Sequence, residues 1–174
     1  MNKRLVFVLL SFFVLILPLT QAEAGTLYAT DDGTNNIYAI DTATGAASLV
    51  GASVEDLSFT GLAYNTSTGT MYVSDVTIPT GGFGLGRVDL ITGAVTVIGT
   101  HFTSDNIWGL AYDSLNNVLY GSDDDNGPGL AIIGMVTGAA SLVGSFTVLA
   151  PTKIAGLAYD SSTDILYGIS STNL

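Results

Sequence analysis

Beyond residue 24, apolar side chains alternate with polar ones in short runs, and no stretch of useful length repeats at a helical period. Thr26-Leu-Tyr-Ala-Thr-Asp31, Asn36-Ile-Tyr-Ala-Ile-Asp41 and Thr70-Met-Tyr-Val-Ser-Asp75 are typical: β-branched and aromatic residues ended by Asp. Turn formers separate the runs, as in Asn65–Gly69, Asp113–Asn117 and Asp160–Asp164. Thr44-Gly45, Thr92-Gly93 and Thr137-Gly138 mark tighter turns, where glycine supplies the positive φ that such turns want. The pattern predicts short antiparallel strands from end to end.

The runs are periodic. Gly-Leu-Ala-Tyr occurs at Gly61–Tyr64, Gly109–Tyr112 and Gly156–Tyr159, spaced by 48 and 47 residues. Thr44–Gly51 recurs unchanged as Thr137–Gly144, with a variant at Thr92–Gly99. Aligning on Gly-Leu-Ala-Tyr gives four strands per unit. The first holds Gly and Ala, which suit a strand where backbones crowd together. The second is Thr70–Asp75, matched by Val118–Asp123, Ile165–Ser170 and Thr26–Asp31. The third is Asn36–Asp41, Leu85–Asp89 and Leu130–Gly134, and the fourth is Ala46–Val50, Ala94–Ile98 and Ala139–Val143. Four short strands at this period describe the blade of an all-β propeller, whereas solenoid coils repeat at about 20–30 residues. The expected domain is residues 25–174, a partial propeller of about three blades. Blades start near 61, 109 and 156, with partial blades over 25–60 and 156–174. Thirteen strands leave the ring incomplete, since closed rings take about four to eight blades. Truncation, or completion by further copies through open blade faces, is the expected explanation.

Residues 1–24 read differently. Lys3 and Arg4 precede an apolar run from Leu5 to Leu17, Pro18 ends it, and Ala22-Glu23-Ala24 offers a small-residue cleavage site. That order is a signal peptide, and it is shorter than the roughly 20 apolar residues of a membrane span. A secreted product, periplasmic or extracellular, is expected. The chain has no Cys and a formal charge of −11, and beyond residue 24 its only Lys or Arg residues are Arg87 and Lys153. So acidic a surface repels phosphate backbones and anionic headgroups, which argues against nucleic acid or a membrane as partner of the mature form.

On Leu62-Ala-Tyr64, Ile37-Tyr-Ala-Ile-Asp-Thr-Ala-Thr-Gly45 and the Thr-Gly-Ala turns, the chain resembles secreted bacterial propeller proteins of the YVTN-like and quinoprotein-like class. The likeness covers nearly all of residues 25–174 and implies blade architecture, not an activity. Quinoprotein dehydrogenases usually carry Trp docking motifs on the outer strands. The single Trp108 does not match them, so their cofactor is not implied.

Candidate chemistry is sparse. Asp31, Asp75 and Asp123 each stand three residues after a second-strand Tyr, which would set them on one rim, with Asp125 nearby. Clustered carboxylates are what Ca²⁺ takes, so these four are the candidate metal ligands, against the simpler reading of Asp side chains tying turns. His101, the only His, falls between a fourth strand and the next first strand, with Asp105 near it, and reads as a loop residue. Gly81-Gly-Phe-Gly-Leu-Gly86 lies between strands with no helix after it, so it is not a phosphate loop. Tyr28, Tyr72, Tyr120 and Tyr167 recur at one strand position, and repeat-wise packing explains them better than sugar stacking. No catalytic residue and no cofactor other than calcium is expected. The leading expectation is a non-enzymatic binding or scaffold protein with a protein or carbohydrate ligand. The alternatives are a Ca-dependent propeller hydrolase or lactonase, and a truncated fragment without a function of its own.

Overall fold

A computed structural model describes residues 25–31, 34, 36–51, 61–78, 81–101, 106–123, 129–146 and 154–170. The expected signal segment, 1–24, and Asp125 lie outside them. The described residues form thirteen strands and no helix. They are β1 (Thr26–Asp31), β2 (Asn36–Asp41), β3 (Ala47–Leu49), β4 (Leu62–Asn65), β5 (Thr70–Thr77), β6 (Phe83–Val88) and β7 (Val95–Thr100). Then follow β8 (Ile107–Asp113), β9 (Val118–Asp123), β10 (Gly129–Ile133), β11 (Ala140–Ser145), β12 (Ile154–Asp160) and β13 (Ile165–Ser170). Strand pairing is antiparallel and follows chain order, so each sheet is a meander: β1–β2–β3, β4–β5–β6–β7, β8–β9–β10–β11 and β12–β13. We call these blades A, B, C and D. The fold is the expected incomplete propeller array.

Sequence fixes the hairpins locally. Asp41 and Asp89 accept backbone N–H bonds from the two residues that open each Thr-Gly turn, at 2.8–3.0 Å. Gly45, Gly93 and Gly138 then take φ of 72–74°. Gly81 and Gly82, at φ of 93° and 95°, turn the chain into β6, so this glycine run is a hairpin end.

The core lies between blades. One cluster joins Ile37 and Val50 of blade A to Met71, Val73, Val76 and Val88 of blade B. The other joins Ala63, Tyr72 and Leu85 of blade B to Ile107, Leu110 and Tyr112 of blade C, among others. Fully burying one such aliphatic side chain is worth about 1.5–3 kcal/mol, and every blade needs a neighbour to obtain it. The recurring tyrosine displays this dependence. Tyr72 is buried under blade C, Tyr120 is half-buried under two-stranded blade D, and Tyr167 on blade D is exposed.

Glycines let the blades meet. A Cβ on Gly61 would stand 2.8 Å from the Leu110 backbone nitrogen, and one on Gly109 2.9 Å from that of Leu157. At the outer strands a Cβ on Gly99 would lie 2.1 Å from the Thr137 carbonyl oxygen, a backbone atom that cannot yield. Gly144 is the same position on blade C, and among the described residues nothing lies within 4 Å of its Cβ. Gly99→Ala should therefore destabilise the chain by about 1–3 kcal/mol as an overpacked joint, whereas Gly144→Ala should stay within about 0.5 kcal/mol of the parent. Urea titration of both variants checks the pair, and equal losses would contradict this account of the glycines.

Candidate functional site

Among the described residues, the dipeptides Ser74-Asp75 and Ser122-Asp123 of the second strands supply four of the seven buried polar or charged side chains. The Gly61 N–H donates to Ser74 Oγ at 2.8 Å, and the Gly109 N–H donates to Ser122 Oγ at 2.8 Å. Ser122 Oγ in turn donates to the Ile154 carbonyl of blade D at 2.7 Å. Asp75 Oδ1 accepts the Ile107 N–H of blade C at 3.0 Å. These side chains thus bind the first strand of their own blade or of the next one. Beside them the β4–β5 pairing stops at Leu62 and Val73, and the β8–β9 register shifts between Ile107 and Gly109.

The expected acidic row is placed as follows. Asp31 ends β1 opposite Asn36 and accepts the Thr34 hydroxyl at 2.7 Å. Asp75, expected at the end of the second strand, lies inside β5 at a register shift between Val73 and Val76. Its φ is 58°, a left-handed value that Asp tolerates better than most side chains. Asp123 ends β9 opposite Ile107 and Gly129. The three occupy one step of successive blades, one on each. Among the described residues no three His, Cys, Asp or Glu side chains come together.

His101 is a loop residue, as expected, but a buried one. It is buried directly after β7, with Nδ1 3.1 Å from the Gly138 carbonyl of blade C. A carbonyl only accepts, so Nδ1 carries the proton and donates. Burial pushes the imidazole pKa down to about 4, against the pull of the Gly138 and Gly84 carbonyls towards the charged ring. The Ala140 N–H also donates to the His101 carbonyl, at 3.3 Å. This histidine joins the outer strands of blades B and C. The sequence signal for it was its place two residues after the repeat glycine, Gly99, which docks on the same turn.

A site of different character is a cleft of about 360 Å³ between blades A and B, lined by Thr26, Leu27, Tyr28, Leu62, Tyr64 and Met71. The Tyr28 and Tyr64 rings are 6.4 Å apart and tilted by 31°. Tyr64 is 42% exposed, whereas its counterpart Tyr112 is 8% exposed because blade B, with its first strand β4, packs over it. Blade A has no described strand equivalent to β4, and β1 is the edge strand of its sheet. The cleft is the place of that first strand. Sequence reasoning missed it, although a unit entering at its second strand was the available signal.

No protein-family model matches the chain. No curated protein matches it either. Solved structures do. TolB from Acinetobacter baumannii aligns with a TM-score of 0.50 at 13% identity, over 86% of this chain and 41% of that one. The extracellular domain of the one-component system BT4673 from B. thetaiotaomicron aligns at 0.47 and 17% identity, over 83% of this chain and 20% of that one. The periplasmic gluconolactonase PpgL from Pseudomonas aeruginosa aligns at 0.46 and 12% identity, over 83% of this chain and 46% of that one. The chain thus spans less than half the length of each of them. At 13% identity the TolB alignment speaks for the fold alone, a propeller-type array.

Two measurements probe the joints. Asp75→Ala removes the acceptor of a buried N–H and should cost about 1–3 kcal/mol, while Asp75→Asn, which keeps an acceptor oxygen and tolerates positive φ, should cost clearly less. The loss should be equal in NaCl and in CaCl2 at matched ionic strength; stabilisation by calcium that only Asp75→Ala abolishes would instead mark coordination. His101 has a folded pKa below its unfolded value of 6.5. The folded state therefore binds fewer protons, and stability present above pH 6.5 declines as pH falls towards about 4, by up to ~3 kcal/mol. His101→Gln should flatten the melting temperature across that window, and an unchanged slope would show that other groups set it.

Proposed function

We propose that the chain is a secreted, non-enzymatic binding and scaffold protein with YVTN/quinoprotein-like repeats, and that its ligand is an extended protein strand seated in the cleft between β1 and β4. The observation that carries this reading is the cleft itself: apolar walls, two tyrosines, and beside them β1, the edge strand of its sheet among the described residues. An open sheet edge offers backbone donors and acceptors in a row, and apolar pockets beside it select side chains, which is how sheet-edge peptide recognition works. The buried Asp75, Ser122 and His101 support the non-enzymatic reading, because each is engaged in joining strands or blades. Secretion rests on the basic, apolar and small-residue order of residues 1–24.

A carbohydrate stacked on Tyr28 and Tyr64 is the second occupant, favoured by the paired rings. A Ca-dependent hydrolase or lactonase has no observation here in its favour.

A peptide of sequence Ile154–Asp160, the first strand of blade D, is the natural probe, because the cleft stands where such a strand belongs. It should bind saturably by calorimetry, and Leu62→Glu, which puts a charge in the cleft wall, should weaken it at least tenfold. A scrambled peptide binding equally well, or no peptide binding with saturable oligosaccharide binding, would sink the strand reading.

A further inference from the structure

The tyrosine of Gly-Leu-Ala-Tyr has a fixed polar seat in blades C and D. Tyr112 donates its hydroxyl proton to Asn117 Oδ1 at 2.9 Å, and Tyr159 donates to Asp164 Oδ1 at 2.7 Å. Both acceptors end the turn that follows their strand, and both take a φ of 56°. Each hydroxyl also meets a turn of the blade before. Ser67 Oγ lies 3.3 Å from the Tyr112 hydroxyl, and the Asp113 carboxylate is a second acceptor for Tyr159. Two polar groups thus hold each phenol, one from its own blade and one from the neighbour.

Blade B breaks this pattern on both sides. The counterpart of Asn117 and Asp164 is Gly69, at a similar left-handed φ of 68°. Apart from chain neighbours, a Cβ there would have one heavy atom within 4 Å, the Tyr64 hydroxyl oxygen at 3.7 Å. A side chain at residue 69 would therefore start out beside the phenol, and glycine withholds it. The neighbour's share is missing as well, because no turn ahead of β1 is among the described residues. Among those residues no hydrogen bond reaches the Tyr64 hydroxyl. This is the tyrosine that lines the cleft.

We propose that Tyr64 is the specificity-determining residue of the cleft, its hydroxyl donating to a side-chain oxygen of Asp or Asn at the end of the bound strand. The proposal rests on the strand reading of the cleft and names the polar residue that the strand must carry. The repeat sets its position. Asp113, which holds Tyr159, directly follows the Gly-Leu-Ala-Tyr of blade C. A strand paired with Thr26–Ala29, as β4 is with Thr70–Val73, brings its own residue of that position to Tyr64. Asp31 lies beyond that stretch and keeps its bonds. In Ile154–Asp160 the residue is Asp160. The apolar walls, Leu62 and Met71, accept any strand of suitable apolar residues. A phenol shut in without an acceptor is costly, so Tyr64 rejects strands that lack one.

Calorimetry of the chain with Ile154–Asp160, blocked at both ends, tests this as a two-by-two cycle. The variants are Asp160→Ala in the peptide and Tyr64→Phe in the chain. Asp160→Ala should weaken binding to the parent at least fivefold and binding to Tyr64→Phe less than twofold, because the donor is already gone. Gly69→Asn suits the positive φ. It should capture the Tyr64 hydroxyl as Asn117 captures that of Tyr112, and weaken the unmodified peptide at least threefold. Circular dichroism of both chain variants should match the parent. Equal losses on the parent and on Tyr64→Phe overturn the role of Tyr64 and leave strand binding standing. Unchanged or tighter binding by Gly69→Asn overturns it too. No saturable binding of either peptide removes the strand reading itself, and this proposal with it.

Discussion

Backbone-to-backbone contact between neighbouring blades is the constraint on which the rest depends. Where Gly61, Gly99 and Gly109 stand, a single methyl group would come within 3 Å of the adjoining blade's main chain. Only at that separation do the apolar faces interlock, with Leu85, Ile107 and Leu119 wholly removed from water. A blade has no core of its own, so its stability is a neighbour term, as in other repeat arrays. The gradient from buried Tyr72 to exposed Tyr167 is the direct record of that dependence.

The polar groups of the interior follow from the same constraint. Strands brought this close lose water from their backbone groups, and each needs a partner inside. Ser74 and Ser122 accept first-strand N–H groups, Asp75 reaches into the next blade, and His101 reaches the turn of blade C. Residue types that suggest catalysis or metal binding in a list serve here as joints. At the ends of the array the same kinds of surface have no neighbour among the described residues. The cleft between β1 and β4 is the most developed of them.

Much of this was legible in the amino-acid sequence. The all-β class, the four-stranded unit and the thirteen strands followed from alternation, from Gly-Leu-Ala-Tyr at its 48- and 47-residue spacing and from the Thr-Gly turns, because each is set by local backbone geometry. Strand ends differed by a residue or two, as with β6, which starts at Phe83 rather than Leu85 once Gly81 and Gly82 have turned the chain. The equivalence of Asp31, Asp75 and Asp123 was also visible, since a repeat carries every position with it.

Tertiary structure alone decided what those positions face. Spacing places Asp75 beside a turn, but its burial inside β5 and its bond to Ile107 depend on blade C arriving 32 residues later. The burial of His101 was not legible, because nothing in its neighbourhood in the sequence predicts the Gly138 carbonyl, 37 residues away. The cleft is a property of what stands beside β1, and no single residue records it. Periodic pattern determines which strands form and in what order, because those are short-range matters of alternation and turn geometry. Solvation, partners and openings belong to the packing of one blade on the next, which the chain specifies only once it is folded.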